Sequence, residues 1–342
     1  MKRHSLIFLE PGQVAVKGEK VSPPGPGQVL VKTLVSAISA GTELLLYRGE
    51  VPPGMAVDAS IAALQGSFSY PLKYGYAAVG QVAALGPEVE PTWGGALVFA
   101  FHPHESLFVA APGDLLPVPG DVAAEDAVFL ANMETAVTLA LDGAPLLGEQ
   151  VAVFGQGVVG LLLTAVLARF PLGSLVTLDR FPGRRLLSET LGAQASFDPA
   201  SPEVLAQVRA FLQGNRQFAG ADLAYEVSGS PAALDLAVAA TGYHGRVVIG
   251  SWYGRKSVGL NLGGQFHRGR QRLMSSQVSS IAPDLRGRFS KGRCLGVAWQ
   301  LLREIRPARL ITHRLPLEEA SRAYEMLDQR PEEAVQVVLT YD

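Results

Sequence analysis

Apolar and polar positions fall into two textures along this chain. Up to Pro119, short alternating or β-branched runs read as strands: Ser5–Leu9, Gln28–Val35, Ala78–Ala84, Leu97–Phe101 and Leu107–Ala110. Clusters such as Pro23-Pro24-Gly25-Pro26-Gly27 and Gly86-Pro87 punctuate them as turns do. A closed or nearly closed β domain is expected there. After Pro119 the spacing turns helical. Ala123–Leu141 is small and apolar at helical intervals, and then strands and helices alternate. Gln150–Phe154, Ser174–Leu178, Ser196–Phe197, Asp222–Val227, Arg246–Gly250 and Leu273–Val278 read as strands. Val158–Arg169, Arg184–Leu191, Pro202–Leu212 with Ser201 as its N-cap, and Pro231–Ala240 read as the helices between them. Alternation at this pace implies right-handed βαβ units on a parallel sheet, hence an α/β fold class. The tail departs from it, with helices at Cys294–Ile305 and Leu317–Leu327 and a last strand at Val335–Thr340.

Length and composition narrow the function classes. The 342 residues suit two domains. A net charge of -2, with no long basic run, argues against a nucleic-acid partner. The single cysteine, Cys294, excludes an intramolecular disulfide and fits a reducing compartment. The apolar run after Met1-Lys2-Arg3-His4-Ser5 is broken by Glu10 and Pro11, too soon for a signal peptide. The nearest approach to a membrane span, Val151–Leu167, is cut by glycines and Gln156. A cytoplasmic protein without a membrane segment is expected.

The sharpest chemical signal is Val153-Phe154-Gly155-Gln156-Gly157-Val158-Val159-Gly160. It is a GxGxxG set between an expected buried strand and an expected helix, as dinucleotide binding requires. Gly155 permits the tight turn, Gly157 lets the backbone approach a pyrophosphate, and Gly160 lets the helix pack on the strand. The free N–H groups at the helix start, around Gln156, Val158 and Val159, then face the diphosphate. Asp179 closes the next strand and can accept both adenine-ribose hydroxyls while repelling a 2′-phosphate, which favours NAD(H). Arg180 and Arg184 could instead cradle a phosphate, so NADP(H) is the alternative. The plain competing explanation is a glycine-rich turn with no nucleotide.

With those residues in view, the chain resembles the medium-chain dehydrogenase/reductase superfamily over nearly its whole length. The likeness rests on Pro26-Gly27-Gln28-Val29-Leu30-Val31-Lys32, Gly41-Thr42-Glu43-Leu44, Tyr225-Glu226-Val227-Ser228-Gly229-Ser230 and Thr312-His313-Arg314-Leu315-Pro316-Leu317-Glu318-Glu319-Ala320. Ser39-Ala40-Gly41-Thr42-Glu43, Tyr70-Pro71-Leu72-Lys73-Tyr74-Gly75-Tyr76-Ala77 and Phe266-His267-Arg268-Gly269-Arg270 are most similar to the branch containing bacteriochlorophyllide hydroxyethyl dehydrogenases. The resemblance implies a GroES-like, β-rich catalytic domain from residues 1–131 and 280–342. A Rossmann domain, residues 132–279, is inserted between them. It also implies an active site in the cleft between domains, and a homodimer through the edge strand of the Rossmann sheet. Thr135 is expected near the nicotinamide, with Ser228, Gly229, Gly250, Ser251 and Ser276 at the strand ends that touch the cofactor.

The resemblance also marks a departure. Zinc members carry Cys, His and Glu where this chain has Ala40, Tyr76 and Ala77, and the third ligand slot falls near Ala131. Alanine and tyrosine do not make a zinc site, so no zinc is expected. A replacement site from His102 and His104, with Glu105, Glu43 and Glu134, is the alternative. Without a metal, a side chain must handle the hydroxyl proton. Thr42 sits at the superfamily's hydroxyl relay position, Tyr76 fills the lost His slot, and Glu43 and Glu134 could orient either hydroxyl or accept its proton through water. The competing roles are helix capping for Thr42, space filling for Tyr76 and ion pairing for Glu43. The apolar stretch Val51–Ser69 is expected to wall a roomy pocket for an apolar or bulky substrate. Arg268, Arg270 and Arg272 could meet a substrate carboxylate or the cofactor phosphates. The expected activity is zinc-independent, NAD(H)-linked interconversion of an alcohol and a carbonyl. A quinone or enone reductase is the first alternative and a non-catalytic dinucleotide-binding protein the second.

Overall fold

The structure, a computed structural model, describes residues 1–52, 54–57, 61–212 and 219–342. The chain opens with β1 (Lys2–Glu10), β2 (Gln13–Lys20), β3 (Val29–Ala37) and helix α1 (Ala40–Tyr47). Then come β4 (Ala78–Leu85), β5 (Leu97–Ala100), β6 (Leu107–Ala110), β7 (Leu115–Pro117), α2 (Ala124–Ala127) and α3 (Leu130–Gly143). The middle alternates β8 (Gln150–Phe154), α4 (Val158–Leu167), β9 (Ser174–Leu178), α5 (Pro182–Thr190) and β10 (Ala195–Phe197). It continues with α6 (Val204–Phe211), β11 (Ala221–Glu226), α7 (Pro231–Ala240), β12 (Thr241–Ile249) and β13 (Arg272–Ser275). Helix α8 (Lys291–Ile305), β14 (Ile311–Pro316), α9 (Ala320–Gln329) and β15 (Gln336–Thr340) follow. Contacts divide the chain into one unit of Met1–Ala131 with Trp299–Asp342 and a second of Asn132–Ala298. The second division falls inside α8, past the expected 279/280, and Lys291 at the start of that helix pairs with Glu134 of the second unit.

In the first unit, strands run in the order β14-β15-β3-β4-β5-β7, with β6 also on β3. β15 pairs antiparallel with β3, Val338 opposite Ala37, so the end of the chain completes a sheet begun near its start. Val29, Val31, Val82, Val98 and Phe108 form its apolar core. The sequence pattern shows no β2, whose Lys17-Gly18-Glu19-Lys20 end lacks apolar alternation. The hairpin it makes with β1 is nevertheless encoded in Pro11-Gly12: Gly12 sits at φ +80°, where a Pro-Gly pair favours a type II turn.

In the second unit all six strands are parallel, in the order β10-β9-β8-β11-β12-β13. Counted within the unit this is 3-2-1-4-5-6, the doubly wound order, and its direction reverses between β8 and β11. β8 and β9 are near-continuous apolar runs because helices cover both faces of such a sheet. The turns leaving β8 and β11 touch at the reversal: a Cβ on Gly155 would lie 2.7 Å from the Ser228 backbone.

Several elements differ from the expected pattern. Ala123–Leu141 is two helices, α2 and α3, not one. Ser201 does not cap α6; that helix starts at Val204 with Glu203 before it, and Ser201 Oγ only accepts the Glu203 N–H at 3.4 Å. β13 stops at Ser275, short of the expected Val278, and the Ser276 hydroxyl donates to Asp142. A single 3-10 turn, Leu317–Glu319, precedes α9.

Arg246 on β12 ties the end of α3 to the approach of β8. It donates to the Gly143 and Ala144 carbonyls, at 2.7 and 2.9 Å, and to both Glu149 oxygens, at 2.6 and 2.7 Å. Burial works to raise the Glu149 carboxyl, but the bonds from Arg246 and the Leu146 N–H outweigh it and hold it below the ordinary 4.5. A depressed carboxylate contributes stability above its unfolded pKa and loses it as pH falls through the folded value. Arg246→Ala should lower stability by about 2–3 kcal/mol at neutral pH, less than for a fully buried pair. Urea denaturation across a pH series should show that deficit narrowing below the ordinary value of 4.5.

Candidate functional site

In the second unit the chain leaves β8 through Gly155 at φ +99°, a conformation that L side chains rarely adopt. Gly160, in the first turn of α4, packs so closely that a Cβ there would lie 1.9 Å from the Gly155 carbonyl oxygen. Gly157, just before Val158 and Val159, is different: a Cβ there would meet no atom within 4 Å. No side chain caps this helix start. The elbow is therefore tight at Gly155 and Gly160 and open at Gly157, with N–H groups and the positive end of the helix dipole beside the opening. Gln156 turns its side chain inward, onto the Gly155 carbonyl and Thr164 Oγ1, both at 3.0 Å.

Asp179 stands one residue beyond β9 and is buried. Its Oδ2 accepts the Gln156 N–H at 2.7 Å and its Oδ1 the Phe181 N–H at 2.8 Å. Each oxygen keeps a second lone pair, so the carboxylate both braces the elbow and has capacity for a vicinal diol. The guanidinium groups of Arg180 and Arg184 lie 4.4 and 4.8 Å from the Phe181 ring centre. Arg185, absent from the expected set, donates to the Asp179 carbonyl at 2.7 Å.

Ser228, Gly229 and Ser251 come together at the carboxyl ends of β11 and β12. The Gly229 N–H donates to Ser251 Oγ at 2.8 Å. Gly250 lies against Leu139 of α3, where a Cβ would clash at 2.5 Å from Leu139 Cδ2. Ser276 does not present its hydroxyl to this edge; it is donated to Asp142 Oδ2 at 2.6 Å. Glu134 and Thr135 lie on α3. Glu134 is buried and its Oε1 is 2.5 Å from Lys291 Nζ. Burial raises the Glu134 carboxyl above the ordinary range, although Lys291 opposes the shift. Arg268, Arg270 and Arg272 precede or begin β13, at the amino edge of the sheet, away from the strand ends that carry the elbow. The expectation that they meet cofactor phosphates is therefore corrected by the topology.

In the first unit, Thr42 and Glu43 lie on α1 and Tyr76 leads into β4. The Tyr76 hydroxyl bonds to Ser39 Oγ and lies 3.3 Å from Thr42 Oγ1. A phenol has one proton, so it donates to one of these hydroxyls and accepts from the other. Burial raises the Tyr76 phenol, the Ser39 and Thr42 bonds lower it, and the Glu43 charge raises it. Glu43 is fully buried, and its bonds among the described residues run to Ser39, His104 and Tyr324 and not to Thr42 or Tyr76. Its Oε1 accepts the Ser39 N–H at 2.7 Å, and its Oε2 accepts from His104 Nε2 at 3.1 Å and from the Tyr324 hydroxyl. His104 Nδ1 is 2.6 Å from Ser36 Oγ, which is 2.6 Å from the Tyr341 hydroxyl. Glu43 thus fixes the backbone of Ser39, and Ser39 fixes Tyr76.

His102 serves another network. Its ring stacks on Phe108 at 3.9 Å between centres, and burial lowers its pKa despite Glu105 nearby. Glu105 pairs with Lys73 and Arg3. Both nitrogens of His104 are already bonded, so the two histidines do not converge on a metal. Among the described residues no group of three or more His, Cys, Asp or Glu side chains is placed to hold one. Of the expected substrate wall, Val51–Ser69, Pro53 and residues 58–60 lie outside the described residues.

No family model matches the chain. It is 25% identical over 337 residues to 2-desacetyl-2-hydroxyethyl bacteriochlorophyllide A dehydrogenase of Cereibacter sphaeroides, covering 95% of this chain and 94% of that one. It is 25% identical over 364 residues to an uncharacterised zinc-type alcohol dehydrogenase-like protein of Escherichia coli, covering 96% of each. A solved alcohol dehydrogenase of Escherichia coli CFT073, complexed with NADH, superposes with a TM-score of 0.79 at 18% identity over 99% of both chains. Over nearly its whole length the chain is similar in sequence, and in fold, to alcohol dehydrogenase-like proteins of the medium-chain dehydrogenase/reductase superfamily. These relatives and neighbours are dehydrogenases, and solved neighbours hold NADH or NADP.

Two residues of these clusters were not singled out from the sequence. Ser39 carries no signal of its own beyond lying three residues before Thr42. Glu226 stands in the quoted Tyr225–Ser230 stretch, but nothing local marks it as buried. The elbow generates a contrast between two glycines. Gly157→Ala should fold with stability within about 0.5 kcal/mol of the parent, since its methyl meets nothing, yet bind NADH at least tenfold more weakly (about 1.4 kcal/mol). Gly160→Ala should lose about 1–3 kcal/mol of stability as well, because backbone must move. Chemical denaturation and NADH fluorescence titration of both variants decide it; a Gly157→Ala protein that binds NADH like the parent contradicts the elbow.

Proposed function

We propose that the protein interconverts an alcohol and a carbonyl compound with NAD(H), without zinc, and that Thr42 and Tyr76 handle the hydroxyl proton. The observation that carries this is the Ser39–Tyr76–Thr42 hydroxyl cluster, in which the resemblance gives Tyr76 the slot of a zinc-binding His and Thr42 the hydroxyl relay position. Ala40 offers a methyl group, Tyr76 a hydrogen-bonded phenol, and Ala77 and Ala131 no donor atoms, so the residues there do not fit a zinc ion. NAD(H), when bound, supplies or accepts the hydride. The elbow residues Gly155, Gln156, Gly157, Val158, Val159 and Gly160 would hold its diphosphate. Asp179 would accept the adenine-ribose hydroxyls, and its charge favours the unphosphorylated cofactor. Thr135, Ser228, Gly229, Gly250 and Ser251 would border its other half.

Thr42 Oγ1 and the Tyr76 phenol supply what a metal supplies elsewhere, a place for the alcohol proton as the carbonyl forms. In reduction the protonated Tyr76 returns that proton to the carbonyl oxygen, directly or through Thr42. Burial keeps the phenol protonated at neutral pH, which suits an acid in reduction. In oxidation the proton leaves along the same hydroxyls to solvent, so that direction gains with rising pH. Glu43 and Ser39 act as positioning residues by holding Tyr76 at this angle. The substrate class is an alcohol on a bulky, largely apolar molecule, in keeping with the hydroxyethyl bacteriochlorophyllide named for one relative. The assembly that accompanies this reading is a homodimer through an edge strand of the six-stranded sheet, whose edges are β10 and β13.

Tyr76→Phe should lower kcat/KM by about 10²–10⁴-fold and remove the alkaline rise in alcohol oxidation, while NADH affinity stays unchanged. Prolonged chelation should leave the parent fully active. Activity lost to chelation and restored by zinc would contradict the proposal, and a fully active Tyr76→Phe protein would move the assignment to reduction of an enone or quinone. Asp179→Ala should weaken NADH binding by about 1.5–3 kcal/mol and NADPH binding by less, because only the unphosphorylated ribose loses its acceptor while both lose the brace on the elbow. Paired titrations with the two cofactors check this.

A further inference from the structure

We propose that Glu226 and Tyr253 form a clamp that sets the two turns bordering the nicotinamide half of the dinucleotide, making Tyr253 a positioning residue for that half; the proposal rests on the dinucleotide reading above. Glu226 ends β11, the first strand past the point where the strand order reverses, and is fully buried. Its Oε1 accepts three donors: the Ser228 N–H at 2.7 Å, Ser228 Oγ at 2.5 Å and the Gly229 N–H at 3.1 Å. Its Oε2 accepts the Tyr253 hydroxyl at 2.7 Å. Among the described residues no cation is paired with it; four N–H and O–H donors satisfy it.

Those donors come from two different turns. Ser228 and Gly229 follow β11, whereas Tyr253 follows β12. A further bond, from the Gly229 N–H to Ser251 Oγ, runs directly between them. One carboxylate therefore fixes the spacing of two adjacent turns at the carboxyl edge of the sheet. A doubly wound sheet is built from two mononucleotide-binding halves. β8, β9 and β10 carry the elbow and Asp179, the adenosine side. β11, β12 and β13 carry the other half, so the clamped turns border the nicotinamide mononucleotide.

The tyrosine is suited to the task. Burial first, then the Glu226 bond and charge, push its phenol above the usual range, so it remains a donor at any physiological pH. Its removal would leave Glu226 Oε2 with a lost donor in a buried place and free the turn after β12 to drift from the turn after β11. The adenosine side, held by Asp179 and the glycine elbow, shares none of these bonds.

Binding of NADH and of ADP, which lacks the nicotinamide half, separates this role from general damage. Tyr253→Phe should raise the Kd for NADH about tenfold, the weight of one hydrogen bond to a charged group, and leave the Kd for ADP within about twofold. Ser251→Ala, which deletes the direct bond between the turns, should show the same selectivity and keeps the clamp falsifiable if Tyr253→Phe does not fold. Equal weakening of NADH and ADP, or no change in either, would overturn the clamp. Parent protein that binds neither ligand would overturn the dinucleotide reading itself.

Discussion

At the reversal of strand order in the second unit, two backbone turns come together with room for hydrogen only. Gly155 meets the Ser228 backbone on one side, and its carbonyl meets Gly160 on the other. Everything at the carboxyl edge follows from that closeness. It brings the start of α4 up to the end of β8, leaves Gly157 as the one open position of the three, and sets the Gln156 N–H against Asp179. The result is a concave strip of N–H groups with a carboxylate beside it. Such a strip suits a diphosphate joined to a ribose.

The first unit solves a different problem. A carboxylate, an imidazole and a phenol, from Glu43, His104 and Tyr324, are buried together with Ser36, and the half-buried Tyr341 bonds to Ser36. Buried polar groups of this kind are stable only when each finds a partner. Here each does, and the surplus rigidity is passed to Ser39 through its backbone N–H and on to Tyr76 through its side chain. Gly75, at φ +126°, makes this packing feasible, since a Cβ there would lie 2.8 Å from the His104 ring. The hydroxyl cluster around Thr42 is thus held from below by charge and from the side by hydrogen bonds.

Much of this was legible in the sequence, and the remainder failed for one recurring reason. β8 shows as a buried apolar run closed by glycines, and Asp179 shows by its place at the end of the next strand. Both signals are local. Glu43 shows only as an acid beside Thr42, because its partners His104 and Tyr324 lie 61 and 281 residues away. Ser276 looks like its fellow strand-end serines until α3 brings Asp142 to it, 134 residues distant in sequence. The Glu226–Tyr253 bond spans 27 residues and two crossings of the sheet edge. Periodicity reports which face is apolar, whereas a buried polar side chain is defined by partners that only the tertiary fold supplies. β2 is the exception, a local feature missed because its charged end hides the alternation while Pro11-Gly12 plainly marks the turn.

The central claim is that the glycine elbow, braced by Asp179, receives a pyridine dinucleotide. Calorimetric titration of the unmodified protein with NADH addresses it directly. The account predicts saturable binding of one NADH per chain, competed by ADP. Absence of saturable binding, or binding that ADP does not displace, would contradict it.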